Sequence, residues 1–186
     1  MLKSSKGFTL LELMVTLVIV AIFAAIAIPS YQYFIVKTRK AQAQAEMLKI
    51  SERLENYRSK QLTYAGYIPE HQNTGSGQKG IVNLPYGSSS TEYDYQIRVM
   101  DINYTYAPSD TLKANPQTQS LEDSALGQGW KIIAVPNQSK SLILKKSDSL
   151  LLNSLGLKCM KPYDSSSSTP ILTSTSDDCG NDSKDW

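Results

Sequence analysis

One carboxylate, Glu12, stands near the start of an apolar run that continues to Ile28. Between Leu13 and Ile28 only Thr16 is polar. A carboxylate held at membrane depth costs ~2.5–3.5 kcal/mol on insertion scales, so Glu12 calls for a partner. It also has a local use. Thr9-x-x-Glu12 is a capping-box pattern, and an acid in the first turn suits the helix dipole. Other chemistry-bearing residues are sparse. His71 is the single histidine; it lies in a Gly- and Ser-rich stretch and reads as a solvated surface residue. Patterns such as GxSxG, HExxH or a phosphate-cradling glycine loop do not occur. Asp177, Asp178, Asn181, Asp182 and Asp185 form an acidic group that could attract a hard cation, but their spacing fits no defined calcium loop. Catalytic residues, a cofactor and a metal are therefore not expected. Eleven tyrosines with scattered lysines could suggest DNA contact; strand positions such as Tyr93 and Tyr95 read better as sheet residues.

Cys159 and Cys179 are the two cysteines. If the domain lies outside the cytoplasm they most simply pair, with two unrelated thiols as the alternative. The stretch between them is so polar that it would need a staple to hold shape. Closing a loop of ~20 residues would contribute ~3 kcal/mol in the chain-entropy model.

The elements that position these groups begin with one long helix. Phe8 to Ile28 makes roughly 30 Å of helix, one hydrocarbon thickness. Pro29 removes one backbone bond and is expected to kink the rod rather than end it. Beyond it, Val36, Ala43, Met47, Ile50, Leu54 and Tyr57 recur at sums of three and four, an amphipathic stripe. Glu46/Lys49 and Glu55/Arg58 fall at i,i+3 on its flanks. The helix is thus expected from about Phe8 to about Lys60, apolar all round in its first half and on one face in its second. The first half requires lipid or other helices; the second requires a domain packed on one side.

Residues 61–92 carry Gly75-Ser76-Gly77 and Leu84-Pro85-Tyr86-Gly87 and read as a connecting loop. Strands are expected at 93–100, 130–135, 142–146 and 150–153, with 155–158 as turn and edge; a short helix fits 120–126. Residues 103–128 look like an inserted segment. A helix followed by consecutive strands argues an α+β fold, with an antiparallel sheet laid on the helix's apolar stripe. With 186 residues and a net charge of +2, the chain suits one domain behind its N-terminal segment and shows no global nucleic-acid footprint. Without Lys3 and Lys6, the 19 basic side chains fall to 17, matching the 17 acidic ones.

The N-terminus admits three readings. A basic start, an apolar run and Ala25-Ile26-Ala27 make a secretory signal peptide; the same run left intact makes a single-span anchor. The third follows from resemblance. Gly7-Phe8-Thr9-Leu10-Leu11-Glu12 resembles the class III signal of type IV prepilins and pseudopilins, with Pro29 in that family's usual place. The resemblance implies that a membrane peptidase cuts between Gly7 and Phe8 and that the Phe8 amine is methylated. It implies that Glu12 meets the N-terminal ammonium of a neighbouring subunit during assembly. The fold implied is pilin-like, with a C-terminal disulfide loop.

Ile28-Pro29-Ser30-Tyr31-Gln32, Lys37 to Ala43, Arg53-Leu54-Glu55-Asn56-Tyr57 and Ser149 to Lys158 are similar to PilE-type minor pilins. The implied division is a leader (1–7), a membrane or filament-core helix (8–29), an amphipathic half (30–60), a loop (61–92), a sheet (93–158) and a disulfide-bounded region (159–186). The implied role is a structural subunit that helps initiate or join a pilus for twitching motility, adhesion or DNA uptake. Expected partners are other pilins, the prepilin peptidase and the inner-membrane assembly platform, with nucleic acid reached only indirectly through the pilus. The expected place is the inner membrane, with the domain periplasmic, and then the extracellular pilus. A major pilin, a type II secretion pseudopilin, and a secreted or anchored periplasmic binding domain are the alternatives.

Overall fold

The computed structural model describes residues 7–73, 79–102, 120–165, 172–173 and 176–186. Its frame is one helix, α1 (Leu10–Gln61), followed by β1 (Ile81–Leu84), β2 (Tyr95–Asp101), β3 (Trp130–Pro136), a single helical turn α2 (Leu142–Lys145), β4 (Ser149–Asn153) and β5 (Lys158–Lys161). The five strands form one antiparallel sheet in the order β1-β2-β3-β4-β5. The α+β arrangement expected from the order of the elements is therefore observed.

Alternation along the strands divides the core into two layers. Val82, Ile97, Ala134 and Leu150 lie across one another on the inner face, where they meet Ala43, Met47, Ile50 and Leu54 of α1. Four of the six residues of the predicted stripe are buried, Ala43, Met47, Ile50 and Leu54 being at most 1% exposed, while Val36 and Tyr57 at its ends are half-buried. Each large apolar side chain so buried contributes about 1.5–3 kcal/mol before entropy is counted. On the outer face, Ile133, Leu151 and Cys159 line up across β3, β4 and β5. Leu172 and Cys179 of the C-terminal segment cover them.

Three local expectations are corrected. Residues 81–84 form an edge strand inside the stretch read as loop; all four are buried, so no alternation betrays them. Leu142 to Lys146 does not make a strand. Ser141 caps α2 by accepting the Ile143 amide, and Lys145 N–H donates to Ser141 O at 2.9 Å. A short apolar run does not distinguish strand from helix, and here the cap decides. Near residues 120–126 the helix is one 3-10 turn, Leu121–Asp123, because Ser124 turns extended after it. The leader lysines Lys3 and Lys6, Gly75-Ser76-Gly77 and positions 103–119 lie outside the described residues.

Candidate assembly interface

Gly7 and Phe8 precede the helix in irregular backbone, and Phe8 is 80% exposed. Thr9 is the N-cap: its hydroxyl accepts the Glu12 amide at 3.2 Å, and its carbonyl accepts the Leu13 amide at 3.2 Å. The capping half of the Thr9-x-x-Glu12 pattern is thus formed. The Glu12 carboxylate is exposed and has no ionic partner among the described residues.

From Leu10 to Ile28 no residue is buried, although nearly every one is apolar. Leu11, Val20 and Phe23, for example, are 75%, 63% and 68% exposed. An apolar cylinder of this length is stable only in lipid or against other helices. Pro29 lies inside α1, which continues through it. With no amide proton it leaves the Ala25 carbonyl without its helical donor.

The second half of α1 carries the domain through both packing and charge. Arg39 Nε lies 3.0 Å from Asp94, and Lys140 Nζ lies 2.8 Å from the same carboxylate. Lys40 Nζ reaches Asp148 at 2.7 Å. These contacts join α1 to the start of β2 and to the α2–β4 connection. At the other end, Glu55 accepts the Tyr64 hydroxyl at 2.8 and 3.0 Å and the Trp130 indole N–H at 3.0 Å. Arg58 instead donates to the Tyr64 hydroxyl and stacks over its ring. The Glu55/Arg58 surface pair is therefore corrected: the carboxylate is drawn to the buried edge of β3. Glu46 does pair with Lys49, at 3.5 Å, but is itself only 4% exposed.

Cys159 and Cys179 are disulfide-bonded across 20 residues, and the bond sits in the outer apolar layer. Beside it, Lys131 is 2% exposed and donates to Asp177 and to the Ser176 carbonyl, both at 3.0 Å. One member of the acidic group thereby neutralises a buried cation, and Asp178 accepts the Gly180 amide at 2.9 Å. No cluster suited to a metal ion occurs among the described residues. His71 is exposed and stacks on Tyr86, with ring centroids 4.0 Å apart. The structure thus places Glu12 and Pro29 in the unburied half of α1, with Gly7 and Phe8 just ahead of it, and joins Cys159 to Cys179 on the far side of the sheet. Glu55 and Lys131 escape sequence reasoning, since their partners lie 75 and 46 residues away.

Comparison with known proteins bears on this helix directly. Residues 2–28 match the prokaryotic N-terminal methylation motif, and residues 29–126 match the family described as type IV minor pilin ComP, DNA uptake sequence receptor. Among curated relatives, a fimbrial protein of Pseudomonas aeruginosa is 48% identical over 46 residues, 25% of this chain and 30% of that protein. The type IV major alpha-pilin of Moraxella bovis is 44% identical over 46 residues, 25% of this chain and 29% of its own length. Fimbrial protein EcpC of Eikenella corrodens is 48% identical over 44 residues, 23% of this chain and 29% of its own length. The chain spans about three-tenths of the length of these relatives. No solved structure matches it. Because the match over residues 29–126 takes in more than half of the 186-residue chain, the protein belongs to the ComP family of type IV minor pilins.

Proposed function

We propose that the chain is a minor subunit of a type IV pilus that serves DNA uptake. The observation that carries this reading is the division of α1. Its first half is apolar and touches no core, while its second half is the core of the domain. In a single chain that first half suits a bilayer, and in a filament it suits a bundle of like helices. The prepilin peptidase cuts between Gly7 and Phe8, and the Phe8 amine is methylated; the methylation-motif match over residues 2–28 supports this step. Before cleavage the helix anchors the domain on the periplasmic side. After cleavage the Glu12 carboxylate of one subunit pairs with the Phe8 ammonium of another, cancelling both charges as the helix enters the filament. The assembly platform of the inner membrane carries out the transfer. Pro29 gives α1 the bend that lets its two halves follow different neighbours. The role is structural, with no reaction and no cofactor assigned to it.

The family's description as a DNA uptake sequence receptor supports uptake over adhesion as the purpose of the filament. A second reading, a major pilin, is favoured by relatives named as fimbrial proteins and major pilins. Abundance separates the two. Under the proposal, the protein is a trace component of sheared filaments, and deleting its gene abolishes transformation while filaments persist. A filament made mostly of this chain, or transformation unchanged by the deletion, contradicts it.

A further inference from the structure

The region where α1 leaves its apolar run carries a surface that neither the domain's packing nor the helix's assembly role uses. α2 lies against α1 there, with a cleft on each side of about 350 and 580 Å³. Leu144 of α2 is buried, but Leu142 is 79% and Ile143 37% exposed. On α1, Tyr31, Tyr33 and Phe34 are exposed in the turns just beyond Pro29. Around this apolar and aromatic tip stand Lys37, Lys145 and Lys146, none of which has an acidic partner among the described residues. The carboxylates that line the clefts are already engaged, Asp94 by Arg39 and Lys140, and Asp148 by Lys40.

Position argues for the occupant. At ~1.5 Å per residue, Leu10 to Ile28 spans about 28 Å, so the hydrocarbon layer ends near Ile28. The α1 residues that line the clefts run from Gln32 to Gln44 and then stand ~6–24 Å above it. The headgroup layer is roughly 5–7 Å deep on each side. The lower ends of the clefts, at Gln32 and Tyr33, and the exposed rings of Tyr31, Tyr33 and Phe34 therefore lie at the outer edge of the headgroups, where aromatic rings and lysines with apolar stems are favoured. Cations facing an anionic bilayer are drawn to it and released by salt.

The geometry points to a lipid-docking surface: before assembly, Tyr31, Tyr33 and Phe34 sit at the headgroup layer, Leu142 and Ile143 of α2 face it from above, and Lys37, Lys145 and Lys146 engage anionic phospholipid. This rests on the reading of α1 as membrane-spanning. Docking holds the domain down on the leaflet from which α1 emerges, so that subunits wait in one orientation at the membrane. Extraction into a filament then has to break the contact. Each cation is worth on the order of a fivefold preference for an anionic surface, so losing two costs about twenty-fivefold.

The test uses the full chain reconstituted in vesicles. Both native cysteines are in the disulfide, so a Leu142→Cys variant offers one free thiol for a fluorophore, at an exposed site where substitution leaves the core intact. Quenching by spin-labelled headgroups is measured in vesicles with one-third phosphatidylglycerol and in pure phosphatidylcholine. Leu155→Cys, 82% exposed beyond the far end of β4, serves as the distant control. Ile19→Cys, read with acyl-chain quenchers, reports the span itself. The expected result is quenching at 142 but not at 155 in the anionic vesicles. It should be largely lost in phosphatidylcholine, in high salt, and with Lys145→Gln and Lys146→Gln added. Quenching at 19 without quenching at 142 overturns the docking surface and leaves the span standing. Equal quenching at 142 in neutral lipid also overturns it, as does a response at 142 to duplex DNA but not to lipid. Failure at 19 removes the membrane-spanning reading instead.

Discussion

Glu55 gives the sharpest test of how the helix is fastened to the sheet. Its carboxylate accepts the indole N–H of Trp130 at 3.0 Å and the Tyr64 hydroxyl at 2.8 and 3.0 Å. Trp130 is 4% exposed and Tyr64 1%, so both donors belong to largely buried residues. In Glu55→Ala the indole N–H keeps no acceptor, and a buried unsatisfied donor costs about 1–3 kcal/mol. Glu55 itself is exposed, so its charge adds little beyond the bonds. The expected loss is therefore about 1–3 kcal/mol, set by Trp130 rather than by charge. Trp130→Phe removes the donor together with part of the ring. In the double variant the Glu55→Ala penalty should shrink, with a coupling of about 1 kcal/mol. Urea unfolding of the full chain in detergent micelles, followed by near-ultraviolet circular dichroism, measures all three. A Glu55→Ala loss below about 0.5 kcal/mol, or additivity within about 0.3–0.5 kcal/mol, means that Glu55 does not fasten the helix to the sheet through Trp130.

Other expectations follow from the same structure. Glu12→Ala should be processed and remain stable in the membrane yet enter filaments poorly; normal incorporation, read by immunoblot of sheared filaments, removes the assembly role of Glu12. Gly127 has φ +52°, and a Cβ there would lie 2.1 Å from Ala65 N, so Gly127→Ala should cost at least about 2 kcal/mol. Gly156→Ala, at φ +88° in open space, should cost only about 1–2 kcal/mol by the same unfolding assay. Burial first of all holds the Tyr95 phenol well above the usual tyrosine range, beside Ser147 and the Asp148 carbonyl. Its neutral form is favoured when folded, so its contribution is full below pH ~10 and is lost as pH rises further. Stability should fall above that pH, and Tyr95→Phe should flatten the fall in an alkaline denaturation series.

Much of this was legible because long, strongly periodic elements announce themselves. The stripe Ala43, Met47, Ile50, Leu54 predicted the face of α1 that is buried, and Trp130–Val135 predicted β3 to within one residue. β1 was hidden because four residues buried on both faces show no alternation, and Gly80 and Pro85 around them read as loop. α2 misled because Leu142-Ile143-Leu144 is apolar in either state; Ser141 was the signal, and a cap outweighed a short run. At the interface, the motif Gly7 to Glu12 was legible as chemistry since its meaning is local. Glu55 and Lys131 were not, because helical spacing offered Glu55 a nearby arginine while the fold supplied an indole. Buried lysines in strands give no warning in sequence, and only the return of the C-terminal segment brings Asp177 to Lys131.

Under the proposed function, α1 is a membrane helix released by cleavage to become filament core. The intact mass and N-terminal sequence of the protein recovered from sheared filaments test it most directly. The expected result is a trace component that begins at methylated Phe8. Recovery with Met1 intact, or beginning at Ile28 and absent from the filament fraction, contradicts it.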